Sequence, residues 1–147
     1  MASAGSEYDE VPYLAPSFAN TYPDALAVAA LMRGLDAPPL AGARILELGC
    51  ARGANLVPMA WSMPDAELVG IDLSRRQIEA ARERASASGT SNVTFHAMDL
   101  RDVDASFGAF DFVIAHGLFS WVPREVQEAL LEVCARRLSP NGIVYLS

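Results

Sequence analysis

The stretch RILELGCARGAN, residues 44–55, decides how the rest of the chain is interpreted. Ile45, Leu46 and Leu48 form a short apolar run that predicts a buried strand. Small residues then alternate with larger ones, and an apolar helical pattern follows from Leu56. A strand that turns tightly into a helix leaves backbone N–H groups facing a crevice, and small residues let a ligand approach that backbone. The stretch therefore predicts a nucleotide-type cofactor site.

The composition fits one globular domain. The chain has 147 residues, of which 52% are hydrophobic and 20% charged. No apolar run reaches the roughly 18 residues of a membrane span, and the first residues lack the pattern of a signal peptide. Two cysteines, Cys50 and Cys134, make no disulfide framework or metal-binding spacing. A net charge of −7 without a basic patch argues against duplex nucleic acid. We expect a cytoplasmic protein without a metal.

The remaining chain alternates short apolar strands with helices, which predicts an α/β fold with a parallel sheet. Expected strands lie at residues 45–48, 67–72, 93–97, 110–115 and 143–146. Ser74 and Gln77 are spaced as a helix-capping box, and Pro123 is placed to begin a long helix. Residues 1–22 are aromatic and proline-rich, so we expect an arm on the surface or a lid over the crevice. Residues 23–147 form the expected core.

Carboxylates stand at or near the ends of three successive predicted strands. Glu47 lies two residues before Gly49, Asp72 ends the second strand, and Asp99 follows the third. A carboxylate at the position of Asp72 can accept both ribose hydroxyls, and Asp99 can accept from an adenine amino group. Leu73, Met98 and Leu100 are placed to flank a flat base.

The position of Glu47 distinguishes between cofactors. A pyrophosphate needs bare N–H groups without adjacent negative charge, and Glu47 is poorly placed for that. A ligand that carries a sulfonium and an ammonium group suits Glu47 better. S-adenosylmethionine has both groups, together with a ribose and an adenine.

Taken together, these segments resemble the motifs of class I S-adenosylmethionine-dependent methyltransferases. ELGCARG (residues 47–53) is similar to their glycine-rich motif, with Ala51 where the family has its middle glycine, and GIDLS (70–74) is similar to their second motif. MDL (98–100), FDFVIAH (110–116) and LSPNG (138–142) resemble the later strand ends. The segments YDEVPY (8–13) and HGLFSWVP (116–123) resemble a bacterial subgroup whose methyltransferase domain precedes a so-called methyltransferase regulatory domain. The resemblance implies a Rossmann-like sheet of about five strands, truncated relative to the family's seven because strands six and seven are not expected within these residues.

The resemblance also implies roles for individual residues. Glu47 would face the amino group of the cofactor, Asp72 would hold the ribose beside Leu73, and His116 is the best-placed candidate for a catalytic base. The other expected cofactor-binding residues are Tyr8, closing over the ligand; Gly49, Cys50, Ala51 and Gly53 at the methionine part; Asp99 and Leu100 at the adenine; and Ala115 with His116 near the sulfonium. S-adenosylhomocysteine would be the product.

Two other functions stay open. A nicotinamide-dependent oxidoreductase is possible if residues 49–54 act as a degenerate dinucleotide fingerprint. A non-catalytic S-adenosylmethionine-binding module is possible because part of the family's sheet is missing. The methyl acceptor, a small molecule or a protein, cannot be read from the sequence, and a homodimer through the exposed edge of strand five is a further expectation.

Overall fold

A computed structural model of the chain describes residues 16–147. The described residues contain one sheet of five parallel strands in the order β3-β2-β1-β4-β5. The strands are β1 (Arg44–Leu48), β2 (Glu67–Asp72), β3 (Val93–Ala97), β4 (Phe110–Ala115) and β5 (Leu138–Leu146). The predicted parallel α/β fold is confirmed. The bounds of β2, β3 and β4 agree with the sequence prediction, and β1 begins one residue earlier than predicted.

Helices cover both faces of this sheet. They are α1 (Pro23–Leu31), α2 (Leu56–Ser62), α3 (Arg75–Ser88) and α4 (Arg124–Arg137). Apolar residues of α1, α2 and α3 pack with Ile45, Phe112 and Ile114 on one face, and α4 packs with Leu46 and Val113 on the other. Successive strand side chains alternate between the faces, so each strand is apolar on both sides.

The strand order reverses between β1 and β4. The chain runs outward from β1 through β2 to β3 and then crosses back to lay β4 against the other side of β1. Glu47 pairs in register with Gly70 of β2 and Ile114 of β4. In open parallel sheets, ligands bind beyond the carboxyl ends of the strands at such a reversal. The fold therefore places the glycine turn after β1 beside the end of β4.

The fifth strand is longer than the sequence predicts. We expected a strand from 143 to 146 after a turn at 140–142, but β5 begins at Leu138 and contains an irregularity between the pairs Phe110–Leu138 and Phe112–Ile143. Asn141 adopts a positive φ of 64° within it. The turn residues thus form a bulge inside the strand. On α4, Leu131 was expected to be buried, but its side chain is 47% exposed.

The described end of the N-terminal arm is packed on the domain. Residues Ala19–Thr21 form a short 3-10 turn, and Thr21 is fully buried. Tyr8 and the rest of residues 1–15, on which the predicted lid largely depends, lie outside the described residues. From residue 16 onward, no helix combines the length and the apolar character needed to cross a bilayer.

Candidate functional site

The turn after β1 uses its own N–H groups, which corrects the expectation that they face an open crevice. The amides of Gly49 and Cys50 both donate to the carbonyl oxygen of Ile71, at 2.8 and 3.0 Å, and that of Gly53 donates to Cys50 at 3.0 Å. The amide of Ala51 donates to Oδ2 of Asp72 at 2.9 Å. These bonds fasten the turn to the end of β2, and they leave it without the row of bare amides that a pyrophosphate requires.

Ala51 is held in an unusual conformation by this arrangement. Its φ is 45°, in the left-handed region that residues with a Cβ rarely adopt. The second carboxylate oxygen of Asp72 accepts from the amide of Ser74 at 2.9 Å, so Asp72 joins the glycine turn to the start of α3. Both carboxylate oxygens of Asp72, the predicted ribose acceptor, are thus engaged by backbone amides within the fold.

The predicted glycines serve different purposes. Gly49 has a φ of 74°, and a Cβ there would lie 3.2 Å from Cδ2 of Leu118, a side chain on the loop after β4. A Cβ on Gly53 would instead lie 2.9 Å from the ring of Phe95 in the core. Gly49 therefore faces the loop beside the crevice, whereas Gly53 lets the turn pack against the sheet, and the structure gives Gly53 no direct ligand-facing surface.

Glu47 is the most unusual group in this region. Its side chain is 4% exposed, and Oε1 accepts a hydrogen bond from Nδ2 of Asn55 at 2.9 Å. Oε2 is buried and has no hydrogen-bond partner among the described residues. Burial, and to a smaller extent the nearby charge of Asp72, raises the pKa of Glu47 from 4.5 to about 8 against the opposing effect of the Asn55 hydrogen bond. An unpartnered buried carboxylate oxygen is costly, and a cationic ligand would satisfy it.

His116 lies on the same face of the sheet as Glu47, one residue beyond β4. Its ring stacks on Phe18 with a centroid separation of 3.7 Å and lies 5.9 Å from the ring of Tyr145. Within residues 16–147 its ring nitrogens make no hydrogen bond. The two aromatic rings fix the orientation of the imidazole and leave its nitrogen-bearing edge for another group.

The predicted adenine-binding residues lie at the ends of β2 and β3. Both oxygens of Asp99 are bound by Arg101, and this hydrogen bonding holds the pKa of the Asp99 carboxyl below its usual range. Leu100 is partly buried against the core, and Leu73 is 64% exposed at the rim. All three residues thus lie at or just beyond the carboxyl ends of β2 and β3, and the carboxylate of Asp99 is already paired with Arg101.

Two further predicted residues face the interior. Burial raises the pKa of the Cys50 thiol well above its usual value, which agrees with a residue that presents only its backbone. The methyl group of Ala115 is fully buried among residues of the α4 face, on the opposite side of the sheet from His116. Any contact of Ala115 with a ligand would therefore involve its backbone.

Sequence reasoning missed the polar residues that support Glu47. Asn55 contacts Phe18, Thr21 and Glu47. Its position before α2 in the sequence indicates only an ordinary helix start. Leu118 over Gly49 was missed as well, because a leucine in a loop carries no recognisable signal. Within the described residues, no cluster of three or more histidine, cysteine, aspartate or glutamate side chains is placed to hold a metal ion.

Comparison with known proteins agrees with this geometry. Residues 45–142 match the family described as methyltransferase domain. An uncharacterized protein of Rickettsia prowazekii is 47% identical over 140 residues, covering 95% of this chain and 25% of that protein. PKMT2 from Rickettsia typhi, solved in complex with AdoHcy, has a TM-score of 0.88 at 40% identity, covering 90% of this chain and 26% of that one.

A methyltransferase from Thiobacillus denitrificans, solved in complex with S-adenosyl-L-homocysteine, has a TM-score of 0.61 at 28% identity and covers 93% of this chain and 51% of that one. The chain thus spans only part of the length of these relatives. With the family matched over most of the sequence and the fold reproduced, this chain belongs to the methyltransferase domain family.

Proposed function

We propose that this chain binds S-adenosylmethionine at the carboxyl ends of β1 and β4 and transfers its methyl group to an acceptor. The observation that carries the proposal is the buried carboxylate of Glu47, which has one oxygen without a partner among residues 16–147. An ammonium group is a fitting counterpart, because it supplies both a positive charge and N–H donors to an oxygen that lacks them.

Residues at neighbouring strand ends would hold the adenosine. Asp72 is the proposed ribose acceptor, and Leu73 supplies exposed apolar surface beside it. Asp99 and Leu100 are proposed to bind the edge and face of the adenine. For Asp99 this requires that an adenine amino group share the carboxylate with Arg101, whose guanidinium and backbone amide together use three of its acceptor positions.

S-adenosylmethionine would supply a methyl group on a positively charged sulfur, so the acceptor's lone pair forms the new bond and the breaking S–CH3 pair remains on sulfur. The protein then has to orient the acceptor and exclude water. An oxygen or nitrogen acceptor also has to lose a proton. His116 is the proposed base, because its ring is fixed by stacking while its nitrogens are unbonded within the described chain.

The nicotinamide alternative is less well supported. The amides of Gly49, Cys50, Ala51 and Gly53 are used inside the fold, and the buried carboxylate of Glu47 lies beside them. A pyrophosphate would meet carboxyl oxygens there in place of N–H donors. A non-catalytic binding module differs from the enzyme only in the transfer step, so an activity measurement must separate the two.

The acceptor is proposed to be a small molecule or a protein. β5 is the outer strand on one side of the described sheet, and a second copy pairing along that strand would give the expected homodimer. Sedimentation of the chain at micromolar concentration tests this part: a monomer at all concentrations would contradict it.

Calorimetric titration with S-adenosylhomocysteine and, separately, with NAD tests the cofactor. We expect binding of the former only, weakened by about 1–3 kcal/mol in Asp72→Ala, the range for hydrogen bonds to a charged group. Binding of NAD alone would overturn the assignment. Transfer of a labelled methyl group to components of a bacterial extract tests catalysis, with a related methyltransferase that labels the same extract as the positive control. Binding without transfer in that extract would favour the non-catalytic module.

A further inference from the structure

The side-chain amide of Asn55 connects the N-terminal segment, here residues 17–22, to the carboxylate of Glu47. Nδ2 lies 2.9 Å from Oε1 of Glu47 and 2.9 Å from Oγ1 of Thr21. Oδ1 accepts from the backbone amide of Phe18 at 3.1 Å. The hydroxyl of Thr21 lies 2.8 Å from the carbonyl oxygen of Phe18 and donates to it. Both amide hydrogens of Asn55 and its oxygen are therefore engaged at once.

These contacts fix which way round the amide points. With the oxygen and nitrogen exchanged, Oδ1 would face the carboxylate of Glu47 and Nδ2 would face the N–H of Phe18, so acceptor would meet acceptor and donor would meet donor. The residues are also shielded from solvent, with Thr21 at 0%, Glu47 at 4% and Asn55 at 5% exposure. Water cannot readily replace a lost partner here, which makes each contact expensive to break.

Asn55 is not required for starting the helix. It stands at the position before α2, where an asparagine side chain often caps the first turn, but it has helical angles and makes no capping hydrogen bond. Its side chain instead points back to the segment that precedes α1. That segment carries Phe18, whose ring stacks on His116. One amide thus lies between the proposed ammonium-binding carboxylate and the strap of chain that contacts the proposed base.

We propose that Asn55 is a positioning residue that couples occupation of Glu47 to docking of residues 17–22. The inference rests on the proposed cofactor function. The bond from Nδ2 holds Oε1 and turns Oε2 toward the ligand, while the rest of the amide keeps the segment and Phe18 in place over His116. Release of the segment removes two of the three restraints on the amide and loosens the carboxylate. If docking of the segment raises the affinity for the ligand by a given factor, linkage requires that the bound ligand favours the docked segment by the same factor.

Thr21→Val and Asn55→Ala test the coupling in the chain as it stands, with Thr90→Val as the matched control. Thr21→Val keeps the Asn55–Glu47 bond and removes the segment's hydroxyl, which accepts from Nδ2 of Asn55 and donates to the carbonyl oxygen of Phe18. Thr90 also uses its hydroxyl to bind a backbone carbonyl, that of Ala85, but it lies just past the end of α3, away from Glu47. Calorimetry with S-adenosylhomocysteine measures affinity, and hydrogen exchange of the Phe18 amide measures docking with and without the ligand.

We expect affinity to fall about fivefold in Thr21→Val and up to about thirtyfold in Asn55→Ala, the factors that correspond to one or two lost interactions. Thr90→Val should bind as the unaltered chain does. The ligand should slow exchange at Phe18 in the unaltered chain, and less so in Thr21→Val. In Asn55→Ala the pH at which affinity is half-maximal should also move upward, because a donor that favours the ionised carboxylate is gone. A purely structural role would leave that midpoint in place.

Failure of the two proposals can be told apart. If the unaltered chain does not bind S-adenosylhomocysteine, the proposed function and the coupling fall together. If it binds and Thr21→Val has unchanged affinity, or if the ligand leaves exchange at Phe18 unaltered, the coupling is wrong while the cofactor site stands. Thermal unfolding without ligand shows that each variant is folded at the temperature of the titrations.

Discussion

The two ends of β1 treat charge in opposite ways. At its first residue, the Arg44 guanidinium binds both oxygens of Glu67 at 3.0 Å, contacts the carbonyl oxygens of Phe107 and Ala109 and lies over the ring of Phe110. Three residues later, Glu47 is more deeply buried and one of its oxygens has no partner within the described chain. One end of the strand uses its charged group to join neighbouring segments, and the other holds a buried carboxyl group with one oxygen unpaired among the described residues.

Other groups near the two ends of the strands show the same difference in pairing. Near the amino end, Asp111 accepts from the Arg44 amide and the Ser139 hydroxyl, so polar groups are paired within the fold. Near the carboxyl end, Ala51 has a positive φ and the turn is held by Asp72. Strain and incomplete pairing are destabilising, and they persist where a ligand makes use of them. We therefore expect the residues at the amino ends of the strands to contribute stability and those at the carboxyl ends to form the proposed ligand site.

The pH dependence of stability should show the largest effect. Because the folded-state pKa of Glu47 is raised from 4.5 to about 8, its contribution is fully present below pH 4.5 and is lost as pH rises to about 8. The loss should amount to roughly 3–5 kcal/mol at 1.36 kcal/mol for each pH unit. Urea unfolding of the ligand-free chain between pH 5 and pH 8.5 measures it. Glu47→Gln should remove most of this slope, and an equal slope in that variant would contradict the assignment.

Binding of the cofactor should depend on the same carboxylate. Glu47→Gln should weaken S-adenosylhomocysteine binding at pH 8 by about 2–4 kcal/mol, because a buried charged hydrogen bond to the ammonium group is lost. For the unaltered chain, affinity should rise with pH by up to about tenfold for each unit below the pKa of about 8, since binding then displaces one proton. Calorimetry at pH 6, 7 and 8 measures both effects.

The matched substitution at the amino end of the strands is Glu67→Gln, which changes a carboxylate that is largely exposed. It should leave the affinity for S-adenosylhomocysteine unchanged at every pH. A comparable loss of affinity in Glu67→Gln would mean that the two ends of the sheet are not functionally separate.

Arg44→Met should affect stability and not binding. We expect a loss of about 1–2 kcal/mol, because the bonds to the carbonyl oxygens of Phe107 and Ala109 are removed while the apolar stem is kept. The ion pair itself should add little, since the Glu67 side chain is 60% exposed. Urea unfolding measures the loss. A weakened affinity for S-adenosylhomocysteine would contradict the functional separation of the amino and carboxyl ends of the strands.

The sequence predicted the fold well because local patterns and the sheet agree. Apolar runs alternated with helical patterns, and Ser74 caps α3 by accepting from the amide of Gln77, as its spacing indicated. β5 was predicted too short, because Pro140 and Gly142 indicate a turn whether they end a strand or form a bulge within one. Tertiary pairing, which the local sequence does not contain, decided between the two.

The carboxylates of the candidate site were predicted from the sequence, whereas the residues that hydrogen-bond to them were missed. Glu47, Asp72 and Asp99 follow from the rule that ligands bind at strand ends, and the structure places all three there. The contacts of Asn55 with Thr21 and Glu47 span 34 and 8 residues of chain, so no spacing pattern reveals them. The use of the turn amides within the fold was also hidden, because it depends on how β2 approaches the turn.

The smallest expected effect is that of Ala51→Gly, and it examines the strained turn directly. Glycine adopts a φ of 45° without steric cost, so relief of strain should stabilise the fold, partly offset by the greater freedom of glycine in the unfolded chain. We expect a net gain of about 0.5–1 kcal/mol in urea unfolding, because relief of about 1–2 kcal/mol of left-handed strain exceeds an entropic cost of about 0.4–1 kcal/mol. The amide that donates to Asp72 is retained, so affinity for S-adenosylhomocysteine should stay within about threefold, a difference smaller than one hydrogen bond. A tenfold loss would show that the Ala51 methyl group itself contacts the ligand, and the strain would then be a consequence of ligand shape and not of the way the turn is fastened to β2.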